Sequence, residues 1–194
     1  MPRERRFSEA EVLERLTDVF SRHGYASTSL ALLQEATGLG KQSLYNTFGD
    51  KQAMYLQAID CAVQRAAGTV AAVQSAKTGR AAIDVYFAAM IDACSSAVDV
   101  DKHCIVTSGL LEGIGDAPLA WALTSRWQAT HEMLRAAVER GQRDGSVPNP
   151  TPSAELAEVL IALTSGLRVA AQAGRTRAQM ERTVAIALGM LDIA

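Results

Sequence analysis

Proline, cysteine and aromatic side chains are all scarce in this chain, and each shortage excludes something. Five prolines in 194 residues and an aromatic share of 5%, set against 48% hydrophobic residues rich in alanine, favour packed helices over sheet. Three cysteines, Cys61, Cys94 and Cys104, do not make a structural disulfide framework. No apolar run approaches the roughly 20 residues that a membrane span needs. The opening stretch, Met1 to Glu9, has no hydrophobic signal region. A soluble cytoplasmic protein with no membrane partner is the expectation. No nucleophile-elbow glycines, phosphate loop, Glu-x-x-His pair or HExxH motif is present, so no catalytic residue, cofactor or enzymatic activity is expected. His103, Cys104 and His131 have no recognisable ligand spacing, so no metal is expected either. Nor is there an excess of positive charge. The net charge is −2, and within residues 1–51 seven bases face seven acids. A nucleic-acid ligand would require those charges to be segregated. Glu9, Glu11, Glu14 and Asp18 do share one segment. Arg3, Arg5 and Arg6 form an N-terminal arm, either a minor-groove contact or a solvated tail.

What is present is helical periodicity from end to end. Ser8 to Glu11 has the form of a capping box, with Phe7 and Val12 placed as a hydrophobic staple. Val12, Leu13, Leu16, Val19 and Phe20 then predict a helix over 9–23, stopped by Gly24. The most specific stretch runs from Thr28 to Lys51. Leu30, Leu33 and Ala36 share a face of one short helix, capped by Thr28 or Ser29 and ended by Gly38. After Leu39 a second short helix, roughly 40–47, is too short to persist alone and must be held by Leu44 and Phe48. That leaves Lys41, Gln42, Ser43, Asn46 and Thr47 facing outward, hydrogen-bonding residues able to reach base edges and phosphates. Tyr45 suits a wet edge, and Lys51 opens the next helix where the dipole disfavours a cation. Two helices about a glycine turn form a helix-turn-helix. A helical adaptor that binds no DNA would not need this polar set.

These residues carry a family likeness. Phe20 to Ser29, Ala36 to Leu39, and Ser43 to Lys51 closely resemble the N-terminal signature of TetR-like transcriptional regulators. The resemblance implies phosphate contacts from Thr28, Tyr45 and Lys51, with Ser29 beside them. It implies that Lys41, Gln42, Asn46 and Thr47 face bases or adjoining backbone. One departure is Gly40, where the family usually opens the recognition helix with Ser or Thr. The substitution weakens the cap by roughly a few tenths of a kcal/mol.

Beyond Lys51, helices are expected over 51–75, 79–98, 101–113, 118–143, 153–173 and 176–192, with a linker rich in turn formers at 144–152. The expected fold is all-α: a three-helix head, residues 1–50, and a C-terminal helical bundle, residues 51–194, about nine helices in total. Leu156, Val159, Leu160, Leu163 and Leu167, and then Val184, Leu188 and Leu191, form apolar stripes with small neighbours. The resemblance implies that these last two helices pair with a second copy, giving a homodimer on a pseudo-palindromic double-stranded operator. It also implies ligand-controlled repression, with an unknown small-molecule effector in the central bundle. Cys61, Tyr86, Met90, Cys104, Trp127 and His131 are the candidate effector contacts, with Gln64, Cys94, Ser108 and Trp121 as further polar or polarisable groups. Few charges fall on inward faces, which favours an uncharged or weakly polar ligand. Cys104 is expected in the first turn of a helix capped by Asp101, beside Lys102 and His103, a setting that raises the thiolate fraction. It is a candidate redox or electrophile sensor, or else a small buried hydrophobe.

Overall fold

The computed structural model describes residues 8–95 and 103–193. Among these residues there are ten α-helices and no strand: α1 (Glu9–His23), α2 (Leu30–Thr37), α3 (Lys41–Phe48), α4 (Lys51–Arg65), α5 (Ala67–Ser75), α6 (Gly79–Cys94), α7 (Ile105–Leu111), α8 (Ala117–Asp144), α9 (Ser153–Gln172) and α10 (Arg177–Leu188). A 3₁₀ turn, Gly189–Asp192, follows α10. The chain divides into two compact units, Met1–Arg65 with Ile105–Thr124, and Ala66–Cys104 with Ser125–Ala194.

In the first unit α1 lays Val12, Leu16, Val19 and Phe20 against Met54, Tyr55, Ala58 and Ile59 of α4. The Phe20 and Tyr55 rings meet edge to face at 5.0 Å, and Arg65 ties α4 back to Asp18 at 2.7 Å. The expected capping box on α1 does not form, because the Ser8 side chain bonds no helix amide. Glu9 and Glu11 in the first turn still oppose the dipole's positive end. Phe7 and the arginine arm lie outside the described residues. Between the two possible caps of α2, Ser29 takes the role, accepting from the Leu32 amide at 3.2 Å. Gly38 ends α2 in the left-handed region at φ 72°. Leu44 and Phe48 bury α3 as expected, at 0% and 5% exposure.

The second unit is built on Ile83, Phe87, Leu134, Val138, Leu160, Leu167, Leu188 and Leu191. α6 and α8 cross so closely that a Cβ at Gly79 would lie 2.0 Å from the Gly141 nitrogen. The turn after α8 is held by Gln142, whose amide donates to Asn149 O and Thr151 O, and by Asn149, which donates to Met190 O.

Three further expectations need correction. The single helix over 51–75 breaks at Ala66 into α4 and α5, where residues 63–68 are all exposed and bury no apolar side chain. The helix expected over 101–113 begins only at Ile105, so Cys104 precedes it rather than lying in its first turn. Asp101 and Lys102, like the expected end of the 79–98 helix, lie outside the described residues. Third, most of the apolar stripes on α9 and α10 are spent inside the chain: Leu156, Leu160, Leu167, Val184, Leu188 and Leu191 are buried. The outward apolar groups are Val159, Val169 and Ile186, with Ala162 and Gly166 beside them.

Candidate nucleic-acid interface

An eight-residue helix shows its purpose through what it leaves outside. With Leu44 and Phe48 turned into the core, α3 exposes Lys41, Gln42, Ser43, Tyr45 and Asn46, and half-exposes Thr47. The Lys41 ammonium lies 5.7 Å from the Tyr45 ring centre, so a cation and a hydroxyl-bearing ring share one edge. Gly40 offers no side-chain cap, so the first amides of α3 have no side-chain acceptor.

The flanking residues are placed less simply. Ser29 is exposed, but its oxygen is committed to Leu32 N. Thr28 is only 1% exposed, and its hydroxyl donates to Gly24 O at 2.5 Å. Its side chain braces the turn between α1 and α2. Lys51 is half-buried at the start of α4, with Nζ 3.5 Å from Ala26 O and 4.6 Å from the Tyr25 ring centre. Burial lowers its pKa, and the Glu112 carboxylate opposes that shift. Tyr25 packs on Tyr55 at 5.0 Å, and its phenol is pushed up by burial first and then by Asp116 and Asp50.

Sequence reasoning missed Glu112. Its carboxylate accepts the Tyr25 amide at 2.9 and 3.1 Å and the Ala26 amide at 2.9 Å, from a residue 86 to 87 positions away. No local signal could have found it.

The candidate effector residues divide by unit. Cys61 sits in the first unit's core on α4. In the second unit Tyr86, Met90 and Cys94 follow one another at a spacing of four on α6, and Thr164, Arg168 and Gln172 do the same on α9. The two rows meet. The Thr164 hydroxyl acts on the Tyr86 phenol, opposing the rise in its pKa that burial causes, Cys94 Sγ lies 4.0 Å from Met90 Sδ, and Gln172 Nε2 is 3.3 Å from His103 Nδ1. Cys104 is half-buried beside this row. Arg168, also half-buried and absent from the sequence-based candidates, feels the charges of Cys104, Cys94 and Tyr86 among the described residues. Burial pushes both the Tyr86 phenol and the Cys94 thiol up. Trp127 and His131 stack at 5.9 Å on α8, and His131 Nε2 lies 3.2 Å from Glu158. Trp121 and Gln64 are exposed, while Ser108 is half-buried on α7. Two open grooves of about 370 and 540 Å³ lie elsewhere in this unit, the larger lined by Leu163, Gly166, Ala170, Arg182 and Ile186.

A short helix braced on two apolar residues, with its polar side outward behind a glycine turn, defines a helix-turn-helix DNA-binding regulator. Residues 12–58 match the family described as bacterial regulatory proteins, tetR family. The chain is 29% identical over 186 residues to the HTH-type transcriptional repressor ComR of Escherichia coli (strain K12), covering 93% of this chain and 86% of that one. Its fold is similar to a cysteine mutant of the TetR family transcriptional regulator CifR complexed with 26 bp double-strand operator DNA, with a TM-score of 0.83, 26% identity and 98% of both chains covered. It is similar in fold also to the reduced form of E. coli NemR, with a TM-score of 0.78, 19% identity, and 93% and 96% coverage. Residues 12–58 carry the TetR-family signature, and over most of its length the chain is similar to DNA-binding transcriptional regulators of that family.

Proposed function

We propose that the protein is a repressor that holds a pseudo-palindromic operator as a homodimer and leaves it on a small-molecule or redox signal. Residues 1–50 serve as the DNA-binding domain and residues 51–194 as the effector-binding and dimerisation domain. The observation that carries this reading is the outward polar side of α3 over buried Leu44 and Phe48. Lys41, Gln42, Ser43, Asn46 and Thr47 address bases and adjoining backbone, while Tyr45, Lys51 and the Ser29 edge address phosphates. Thr28 contributes by bracing the turn. Repression is supported by the name of ComR, and operator binding by the CifR complex.

Dimerisation is supported by Val159, Val169 and Ile186, which are 48%, 52% and 81% exposed on the last two long helices next to small residues. Paired through that face, two copies would present two recognition helices to successive half-sites. The signal is received in the second unit, where Arg168 feels the charges of Cys104, Cys94 and Tyr86 and Met90 lies against Cys94, with Trp127 and His131 on α8. A guanidinium beside a sulfur is a usual way to hold a thiolate, which supports Cys104 as the point of attack for an oxidant or electrophile. Release requires that the modified or liganded state bind operator less well, since a ligand without state preference shifts nothing. No helix among the described residues is long and apolar enough to cross a membrane.

Gel shift against the DNA upstream of the protein's own gene, at two salt concentrations, tests the DNA reading. Selective binding that weakens steeply with salt supports it. Binding without sequence preference removes it. Cys104→Ser tests the signal: release by a thiol oxidant must be lost in the variant and retained in the wild type.

A further inference from the structure

The turn between α1 and α2 is irregular backbone at the edge of the DNA-binding head, and two of its amides are satisfied from far away. Tyr25 N and Ala26 N both donate to the Glu112 carboxylate, at 2.9 to 3.1 Å. The seat is fitted to that carboxylate. A Cβ on Gly24 would stand 1.6 Å from Glu112 Oε1, and Gly24 also holds φ at +75°, where side chains are strained. Glu112 directly follows α7, with its own amide bonded to Ser108 O. Four residues on, Asp116 accepts from the Gln52 side chain at 2.8 Å. The segment from 112 to 116 is therefore pinned to the head at both ends, once to the turn after α1 and once to the start of α4. Between the pins lie Tyr25 and Lys51, whose ring and ammonium are 4.6 Å apart.

We propose that Glu112, which lies outside the helix-turn-helix, is a positioning residue for DNA binding. Its carboxylate holds the α1–α2 turn, and through it the angle at which α2 and α3 meet the duplex, so its loss lowers selectivity rather than bringing the parallel weakening that follows loss of one phosphate contact. Glu112 is one link by which α7 bears on the head, beside the Tyr55 hydroxyl that donates to Ile105 O. The proposal rests on the DNA-binding reading of Lys51 and α3, and it adds a residue that touches neither base nor phosphate. Charge alone argues for the opposite effect of substitution. Glu112 places a negative group near the surface that meets phosphates, so its removal should favour association with any duplex. A fall in selective binding on removing this acid therefore reports position rather than charge.

The experiment uses the full chain and a duplex selected by the wild type from a random pool, with a scrambled duplex as reference. Glu112→Ala is expected to lose about tenfold in affinity for the selected duplex, the size of losing hydrogen bonds to a charged acceptor, while binding to the scrambled duplex does not fall. Amide exchange at Tyr25 and Ala26 should accelerate with no change at buried amides of α1. Glu112→Gln keeps one amide acceptor without the charge, and it should recover part of the selectivity. It also keeps the test alive should the alanine variant fold poorly. Unchanged selectivity in Glu112→Ala, or an equal loss on both duplexes, overturns the proposal. A wild type that selects no duplex overturns the DNA reading itself, and this proposal with it.

Discussion

The Lys51 ammonium rests over the Tyr25 ring, 4.6 Å from its centre, with the Ala26 carbonyl oxygen 3.5 Å away. The cation is thereby held at one place instead of sweeping solvent, which reduces the entropy lost when it meets a phosphate. Replacing it should weaken all duplexes alike. Lys51→Gln is expected to lower affinity for selected and scrambled DNA in parallel and to reduce the slope of log K against log salt by about 1. Fluorescence anisotropy at four salt concentrations measures both.

Gln42 and Asn46 stand on the exposed side of α3, four residues apart and free of the core. Side chains of this type read a base through paired hydrogen bonds worth about 1–3 kcal/mol of discrimination. Gln42→Ala and Asn46→Ala should each relax preference at one operator position and leave the salt slope unchanged. Competition with single-base operator variants separates this outcome from a uniform loss.

The Gly79–Gly141 crossing predicts a stability effect independent of DNA. At Gly79 a Cβ would meet Gly141 N at 2.0 Å and Ala137 O at 2.3 Å, and backbone cannot turn aside as a side chain can. Gly79→Ala should cost about 3 kcal/mol or more, the upper end of overpacking, and appear as a lower urea midpoint. A midpoint equal to wild type would show that α6 and α8 are not so close.

Asp144 predicts an acid-side effect. Its pKa is lowered by the Ser146 hydroxyl first, then by the Gly79 and Ser146 amides, with Arg140 adding to them. A carboxyl depressed in the folded state adds stability above the ordinary aspartate range, and that stability is lost as pH falls through the folded value. Asp144→Asn should be less stable than wild type at pH 7, with the gap closing toward pH 2. Thermal melts across that range follow it.

Cysteine reactivity can be ordered from burial. Cys94 is 2% exposed, and burial raises its pKa despite the opposing pull of Arg168, so little thiolate forms at neutral pH. Cys104 is half-buried. Maleimide at pH 7 should label Cys104 before Cys94, with the Cys94 rate rising as pH climbs, as mass spectrometry of peptides would report.

The head was legible because its determinants are local. Gly24 and Gly38 end helices through their own backbone freedom, Ser29 caps from three residues away, and Leu44 and Phe48 recur at helical spacing. What escaped depends on partners far apart in the chain or on packing that periodicity does not count. Glu112 meets Tyr25 across 87 positions. Ala66 breaks a run of good helix formers because residues 63–68 bury no apolar side chain. Leu160 and Val159 look equivalent in an apolar stripe, yet one faces the chain's own core and the other faces outward. Arg168 was passed over because an arginine on an amphipathic helix usually marks the solvent face.

The most direct measurement is the affinity of a folded Gln42→Ala, Tyr45→Phe, Lys51→Gln triple variant for the selected duplex and for a scrambled one, side by side with wild type. With α3 as the recognition helix, the variant keeps the wild-type helical spectrum and melting midpoint, and its preference for the selected duplex falls toward unity. A variant that still prefers the selected duplex as strongly as wild type would contradict the assignment of α3 to the major groove.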